Sequence, residues 1–153
     1  MSIIIIIVTV LASMAAFQNH SFFEKALFRP YLMKKNNEWW RWVSNGFIHG
    51  DYTHLIVNML SFYFFAGYVE NEFNLFTGNE LGILFVVFYI SALVMSGMYD
   101  YYRHQNNYAY SALGASGAVA AVIFAYIVYN PFSIIYLYYV IKIPAWLFGI
   151  LYL

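Results

Sequence analysis

The chain lacks cysteine and carries few charged side chains. With no cysteine among its 153 residues, a disulfide framework, a thiolate metal site and a cysteine nucleophile are excluded. Charged residues make up 9% of the chain, whereas soluble domains have about 25%. Seven basic residues balance seven acidic ones, so there is no basic surface for a nucleic acid. We therefore expect no nucleic-acid partner.

Histidine is scarce as well. The four histidines include no His-Glu-x-x-His pair, which is the helical spacing that binds zinc in many metalloproteases. The sequence therefore predicts neither a metal ion nor a cofactor.

Apolar residues dominate instead. They make up 63% of the chain, and the mean hydropathy is +0.65. A bilayer core about 30 Å thick needs roughly 20 mostly apolar residues per helix. Apolar segments between polar clusters cover residues 3–17, 53–69, 81–99, 113–129 and 144–153. The sequence thus predicts one all-α domain over residues 1–153, a polytopic transmembrane bundle with four full spans and part of a fifth.

The first and last of these apolar segments are the shortest. Residues 3–17 resemble a signal-peptide core, but no Lys or Arg precedes them, so a retained span is favoured. Residues 144–153 would make only about 15 Å of helix. A helix end inside hydrocarbon leaves carbonyl groups unsatisfied, so we expect the natural chain to continue past Leu153.

The longest connection, residues 18–52, mixes aromatic and basic side chains, Trp40 and Arg41 among them. This mixture is typical of a segment that lies in the headgroup layer of a membrane. The sequence predicts a partly membrane-embedded first loop, and a plain basic loop is the alternative.

Three polar side chains lie within the predicted spans. His54 and Asn58 are one helical turn apart, so they share a face near the start of the second span. Ser116 begins the fourth span, between Gly114 and Gly117. Because successive spans alternate in direction, the second and fourth begin on the same side of the membrane. We expect the three side chains to lie at similar depth.

This combination fits acyl transfer. A helix N-terminus offers unpaired N–H groups to an oxyanion beside Ser116, and His54 and Asn58 could add side-chain donors. Ordinary polar contacts between packed helices are the alternative. A serine nucleophile also needs a base within about 3 Å, and the sequence spacing gives no obvious candidate.

These residues resemble the rhomboid family of intramembrane serine proteases, in its small bacterial form with six spans. The matching stretches are Trp40-Arg41, residues 47–58, Tyr68-Val69-Glu70 and residues 114–119. The resemblance implies that Ser116 is the nucleophile and that His54, Asn58 and the Ser116 backbone amide bind the oxyanion. It implies structural or loop roles for Trp40, Arg41, Glu70, Gly114 and Gly117.

The resemblance also implies partners and a location. The partners would be the lipid bilayer and transmembrane protein substrates, and the protein would be a multi-pass protein of a bacterial inner membrane. It places the first loop outside the cell, whereas the Lys and Arg residues of that loop favour the cytoplasm.

The chain departs from the family pattern at two points. The general-base histidine of the family lies on the sixth span, which is not present in this chain. Ala120 stands where many members carry an aromatic residue.

The predicted function is a serine endopeptidase that cleaves transmembrane segments through an acyl-enzyme at Ser116. The main alternative is a non-catalytic member that binds transmembrane segments. An aspartyl protease would need a second aspartate facing Asp100, and a transporter would need paired broken helices.

Overall fold

The structure is a computed structural model that describes residues 1–78, 81–137 and 141–152. Long helices occupy the four predicted full spans, and short helices form the first loop and the end of the chain. In chain order they are α1 (Ser2–Gln18), α2 (His20–Ala26), α3 (Pro30–Asn36), α4 (Arg41–Ser44), α5 (Tyr52–Thr77), α6 (Ile83–His104), α7 (Ser116–Tyr129) and α8 (Ala145–Tyr152). Glu80 and Leu153, which mark predicted span ends, lie outside the described residues.

Local chemistry sets where the helices begin. The Asp51 side chain accepts a hydrogen bond of 2.8 Å from the His54 amide and so caps α5. Helix α7 begins at Ser116 rather than at residue 113, because Gly114 has a φ of +111°, which a helix does not allow. Helices α5 and α6 run past their predicted ends at residues 69 and 99.

One element departs from the all-α prediction. Strands β1 (Ile134–Leu137) and β2 (Ile141–Pro144) form an antiparallel hairpin, with Ile135 opposite Ile143 and Tyr136 opposite Lys142. Pro131 ends α7, and the β-branched and aromatic residues after it favour extended backbone. The described part of the chain is therefore mostly helical with one small sheet.

Helix α7 packs against both α5 and α6, and α1 packs against α5. The fully buried side chains between them include Phe62, Phe85, Tyr89 and Val122. Because α5 and α7 begin at the same end of this bundle, their first turns can form a common site.

The outer faces of the long helices are apolar. Leu11, Ile56 and Met95 are more than half exposed, as they would be against lipid. Helix α6, with 22 residues and a hydropathy of 1.8, is long and apolar enough to cross a membrane, whereas α1 and α7 are apolar but shorter. The predicted number of spans stays a prediction.

Candidate active site

Ser116 is the first residue of α7, and its side chain is exposed. The carbonyl of Ala115 accepts the first helical hydrogen bond, 2.9 Å from the Val119 amide. The Ser116 amide therefore belongs to the first turn, whose N–H groups have no partner within the helix. Within the described part of the chain, the Ser116 hydroxyl makes no hydrogen bond.

Gly114 brings the His54 imidazole close to Ser116. The Gly114 amide donates to the Asn45 carbonyl at 2.9 Å, which holds the backbone at its positive φ. A Cβ at this position would lie 2.9 Å from His54 Cε1 and 3.1 Å from His54 Nε2. The imidazole thus occupies the space that the missing side chain leaves, two residues before Ser116.

Asn58 lies one turn further along α5 and is 7% exposed. Its Nδ2 donates to the His54 carbonyl at 3.0 Å. Because an amide nitrogen carries two hydrogens, one donor remains for another acceptor. His54 and Asn58 therefore share one face of the first turns of α5, and the His54 ring contacts the backbone two residues before Ser116.

His49 is a further residue of this region that the sequence analysis did not select. It is fully buried, with Nδ1 3.0 Å from the Ser13 hydroxyl, and its ring meets that of His54 edge to face at 4.9 Å. Ser13 Oγ also lies 3.1 Å from the Phe47 carbonyl, which can only accept, so all three groups are satisfied when Ser13 donates to Phe47 and His49 Nδ1 donates to Ser13. Nε2 then carries a lone pair, and it has no partner among the described residues.

Burial and the neighbouring His54 lower the pKa of His49 to about 4, against a weaker opposing effect of Asp51. His49 is therefore neutral near pH 7. Its position just before a predicted span, in the stretch that resembles the rhomboid family, was the available signal.

The connection that carries Gly114 is bonded to the first loop. Phe28 and Ala112 exchange backbone hydrogen bonds of 2.9 and 3.0 Å. Tyr110 stacks on His104 at 3.7 Å. Burial and a hydrogen bond to Asp100 raise the pKa of Tyr110 to about 12. These contacts hold the connection against α6 and the first loop.

Arg41 organises the first loop from inside. It is 4% exposed, pairs with Glu38, and donates from Nη1 to the carbonyls of Glu24 and Leu27 at 3.0 and 2.7 Å. Burial raises the pKa of Glu38, but hydrogen bonds from Asn36 and Arg41 outweigh it and leave the pKa low. Trp40 stays exposed and donates to the Lys25 carbonyl at 3.3 Å.

Gly117 and Glu70, the remaining two residues that the resemblance selected, lie at contacts between helices. Gly117 lies against Ser96 of α6, with no room for a Cβ between the helices. Glu70 accepts hydrogen bonds from the terminal ammonium of Met1 and, at 2.8 Å, from the Ser2 amide. Glu70 is more than four turns of α5 away from His54, so it joins α1 to α5 and takes no part in the site.

A cavity of about 210 Å³ opens beside Ser116. Its polar lining comes from the first loop, α6 and α7, and consists of Asn45, Ser96, Asp100 and Ser116. The sequence analysis missed Asn45 and Ser96, and Asp51 is not part of the lining, so Asp100 has no facing aspartate here. Among the described residues, no cluster of His, Asp or Glu could hold a metal ion.

The fold and the site define a mostly helical protein with apolar outer faces, in which Ser116 begins an apolar helix and His54 lies against Gly114. The family model described as Rhomboid domain matches residues 36–153. The mitochondrial RHOMBOID-like protein 12 of Arabidopsis thaliana is 30% identical over 118 residues, which cover 71% of this chain and 34% of the relative. The chain belongs to the rhomboid family.

The chain spans about a third of the length of that relative. The relative is named as mitochondrial, so the comparisons support a membrane protein but give no support to the bacterial inner membrane.

Proposed function

We propose that the protein is an intramembrane serine endopeptidase that cleaves transmembrane segments of membrane proteins. The observation that carries the proposal is the contact of the His54 imidazole with Gly114, two residues before Ser116. Membership of the rhomboid family supports it.

In the proposed reaction, Ser116 Oγ attacks the carbonyl carbon of the scissile bond. The negative charge that develops on the carbonyl oxygen is held by His54, by the free Nδ2 hydrogen of Asn58 and by the Ser116 amide. The proton that Ser116 Oγ loses goes to the nitrogen of the leaving amine as the C–N bond breaks, and water then hydrolyses the acyl-enzyme, giving a carboxyl product and returning a proton to Ser116 Oγ. A substrate helix must unwind first, because its carbonyl groups are hydrogen-bonded within the helix.

The test is cleavage of a reporter transmembrane protein by the full-length protein in liposomes. Ser116→Ala should reduce cleavage to background, and His54→Ala should reduce the rate about 10²–10³-fold because one oxyanion donor is lost. Ser111→Ala, which changes an exposed serine of the same connection, is the matched control. Unchanged cleavage by Ser116→Ala would refute the proposal.

One observation favours the second candidate, a member that binds transmembrane segments without cleaving them. The Ser116 hydroxyl makes no hydrogen bond to any described residue, so no base is in contact with it there. For such a protein, photo-crosslinking should capture the reporter equally well with Ser116→Ala and with the unmodified chain, and neither should cleave it.

A further inference from the structure

The cavity beside Ser116 contains one acidic side chain. Asp100 lines it together with Asn45 and Ser96, and Phe28 and Leu93 supply apolar walls. Taking about 30 Å³ per water molecule, the cavity has room for roughly seven waters. It can therefore receive a long side chain.

No described cation pairs with the Asp100 carboxylate. Arg103, one turn further along α6, donates to the Tyr99 hydroxyl at 2.6 Å and is not part of the cavity lining. The Tyr110 hydroxyl, which is bonded to Asp100, stays neutral near pH 7 because its pKa is raised. The Asp100 carboxylate thus lines the cavity with no described cation in ion-pair contact, although the charge of Arg103 acts on the neighbouring Tyr110, and a carboxylate without an ion-pair partner attracts a cation.

The position of Asp100 relative to Ser116 follows from helix geometry. Ser96 packs against Gly117, the residue next to Ser116. Asp100 is one turn beyond Ser96 on the same face of α6, which is about 6 Å along the helix axis. The apolar stem of a lysine or an arginine can bridge a separation of this size and still place its charged group at the carboxylate.

We propose that Asp100 makes this cavity a subsite for a cationic side chain of the substrate. The lysine or arginine would stand next to the bond that Ser116 attacks and would form a charge-assisted hydrogen bond with Asp100. An acidic side chain at the same place is repelled. This inference rests on the proposed function, because it requires a peptide that lies across Ser116.

The test measures binding, so it does not depend on turnover. Three fluorescent transmembrane peptides share a Gly-Ala-Xaa-Ala segment near one end, with lysine, norleucine or glutamate at Xaa. Norleucine matches the lysine stem without its charge. Each peptide is titrated against the full-length protein in phosphatidylcholine liposomes, with energy transfer as the readout.

Two variants complete the design. Asp100→Asn removes the charge and keeps an oxygen that can accept from Tyr110. Glu72→Gln is the matched control, since it removes one acidic group near the opposite end of α5. Circular dichroism checks that both variants are folded.

The unmodified protein should bind the lysine peptide about tenfold tighter than the norleucine peptide, the lower end of what a charge-assisted hydrogen bond contributes. Asp100→Asn should abolish this preference, and Glu72→Gln should keep it. Equal binding of lysine and norleucine, or a preference that survives Asp100→Asn, would overturn the inference and leave the proposed function standing. If none of the three peptides binds, the proposed function fails and the inference fails with it.

Discussion

At Gly114 the backbone has a φ of +111°, and the volume of a Cβ is already taken by the His54 ring. A side chain here meets two separate penalties. One is the strain of a conformation that L residues rarely adopt, and the other is the displacement of the imidazole.

We expect Gly114→Ala to lower the free energy of unfolding by about 1–3 kcal/mol, the range for one strained backbone position. Cleavage should fall with it, because His54 is moved away from Ser116. Gly67→Ala is the control, since a Cβ at Gly67 in α5 meets no atom within 4 Å and removes the entropy cost of a helical glycine. The free energy of unfolding is measured by detergent titration. Equal effects of the two substitutions on it would contradict this prediction.

The lowered pKa of His49 predicts that the free energy of unfolding depends on pH. Its pKa is lowered from 6.5 to about 4 in the folded protein, so the unfolded chain binds more protons between these values. The contribution of His49 to the free energy of unfolding is therefore present above pH 6.5 and is lost as the pH falls from 6.5 to about 4. Between pH 7 and pH 5 the loss should be about 2 kcal/mol.

The measurement is the free energy of unfolding at pH 7 and pH 5 for the unmodified chain and for His49→Asn. The asparagine keeps a donor for Ser13 but has no titratable group, so its pH slope should be smaller. If both proteins lose the same stability, another group causes the dependence.

At the scale of the element, the contact between α6 and α7 is set by Gly117 and Ser96. Since Ser96 fills the space where a Cβ would lie, Gly117→Ala should push the helices apart and cost about 1–3 kcal/mol of unfolding free energy. Adding Ser96→Gly removes the opposing Cβ and should recover part of that loss. A double-mutant cycle measures this coupling, and strictly additive effects would show that the two residues do not touch.

Elements with a clear sequence signature were predictable. The apolar runs indicated the positions of α1, α5, α6 and α7, because a hydrophobic segment of this length in a membrane satisfies its backbone hydrogen bonds by forming a helix. The hairpin of β1 and β2 was missed, since a proline stops a helix but does not determine the conformation of the residues after it. The start of α7 was predicted too early because the conformation of Gly114 depends on its partner Asn45 in another element.

At the scale of the whole molecule, the pairing of His54 with the Ser116 region follows from one rule. Alternating spans bring the first turns of α5 and α7 to one end of the bundle, and the structure places His54 against Gly114 there. The cavity was not predictable in this way. Apart from Ser116, its polar lining comes from the first loop and α6, whose relative position depends on packing. The spacing of Asn45, Ser96 and Asp100 along the chain therefore does not predict the cavity.

Backbone hydrogen bonds join the first loop to the connection before Ser116, whereas side-chain hydrogen bonds organise the loop around Arg41, and the two kinds of bond restrict substitution differently. Phe28 and Ala112 are joined by backbone atoms alone, so any residue that keeps the chain extended can make those two bonds. Arg41, in contrast, holds carbonyl groups with its side chain, and lysine lacks the planar fork that matches them. Exchange at Phe28 is therefore limited by the packing of its buried side chain against Trp42, whereas exchange at Arg41 is limited by the hydrogen bonds that its guanidinium donates.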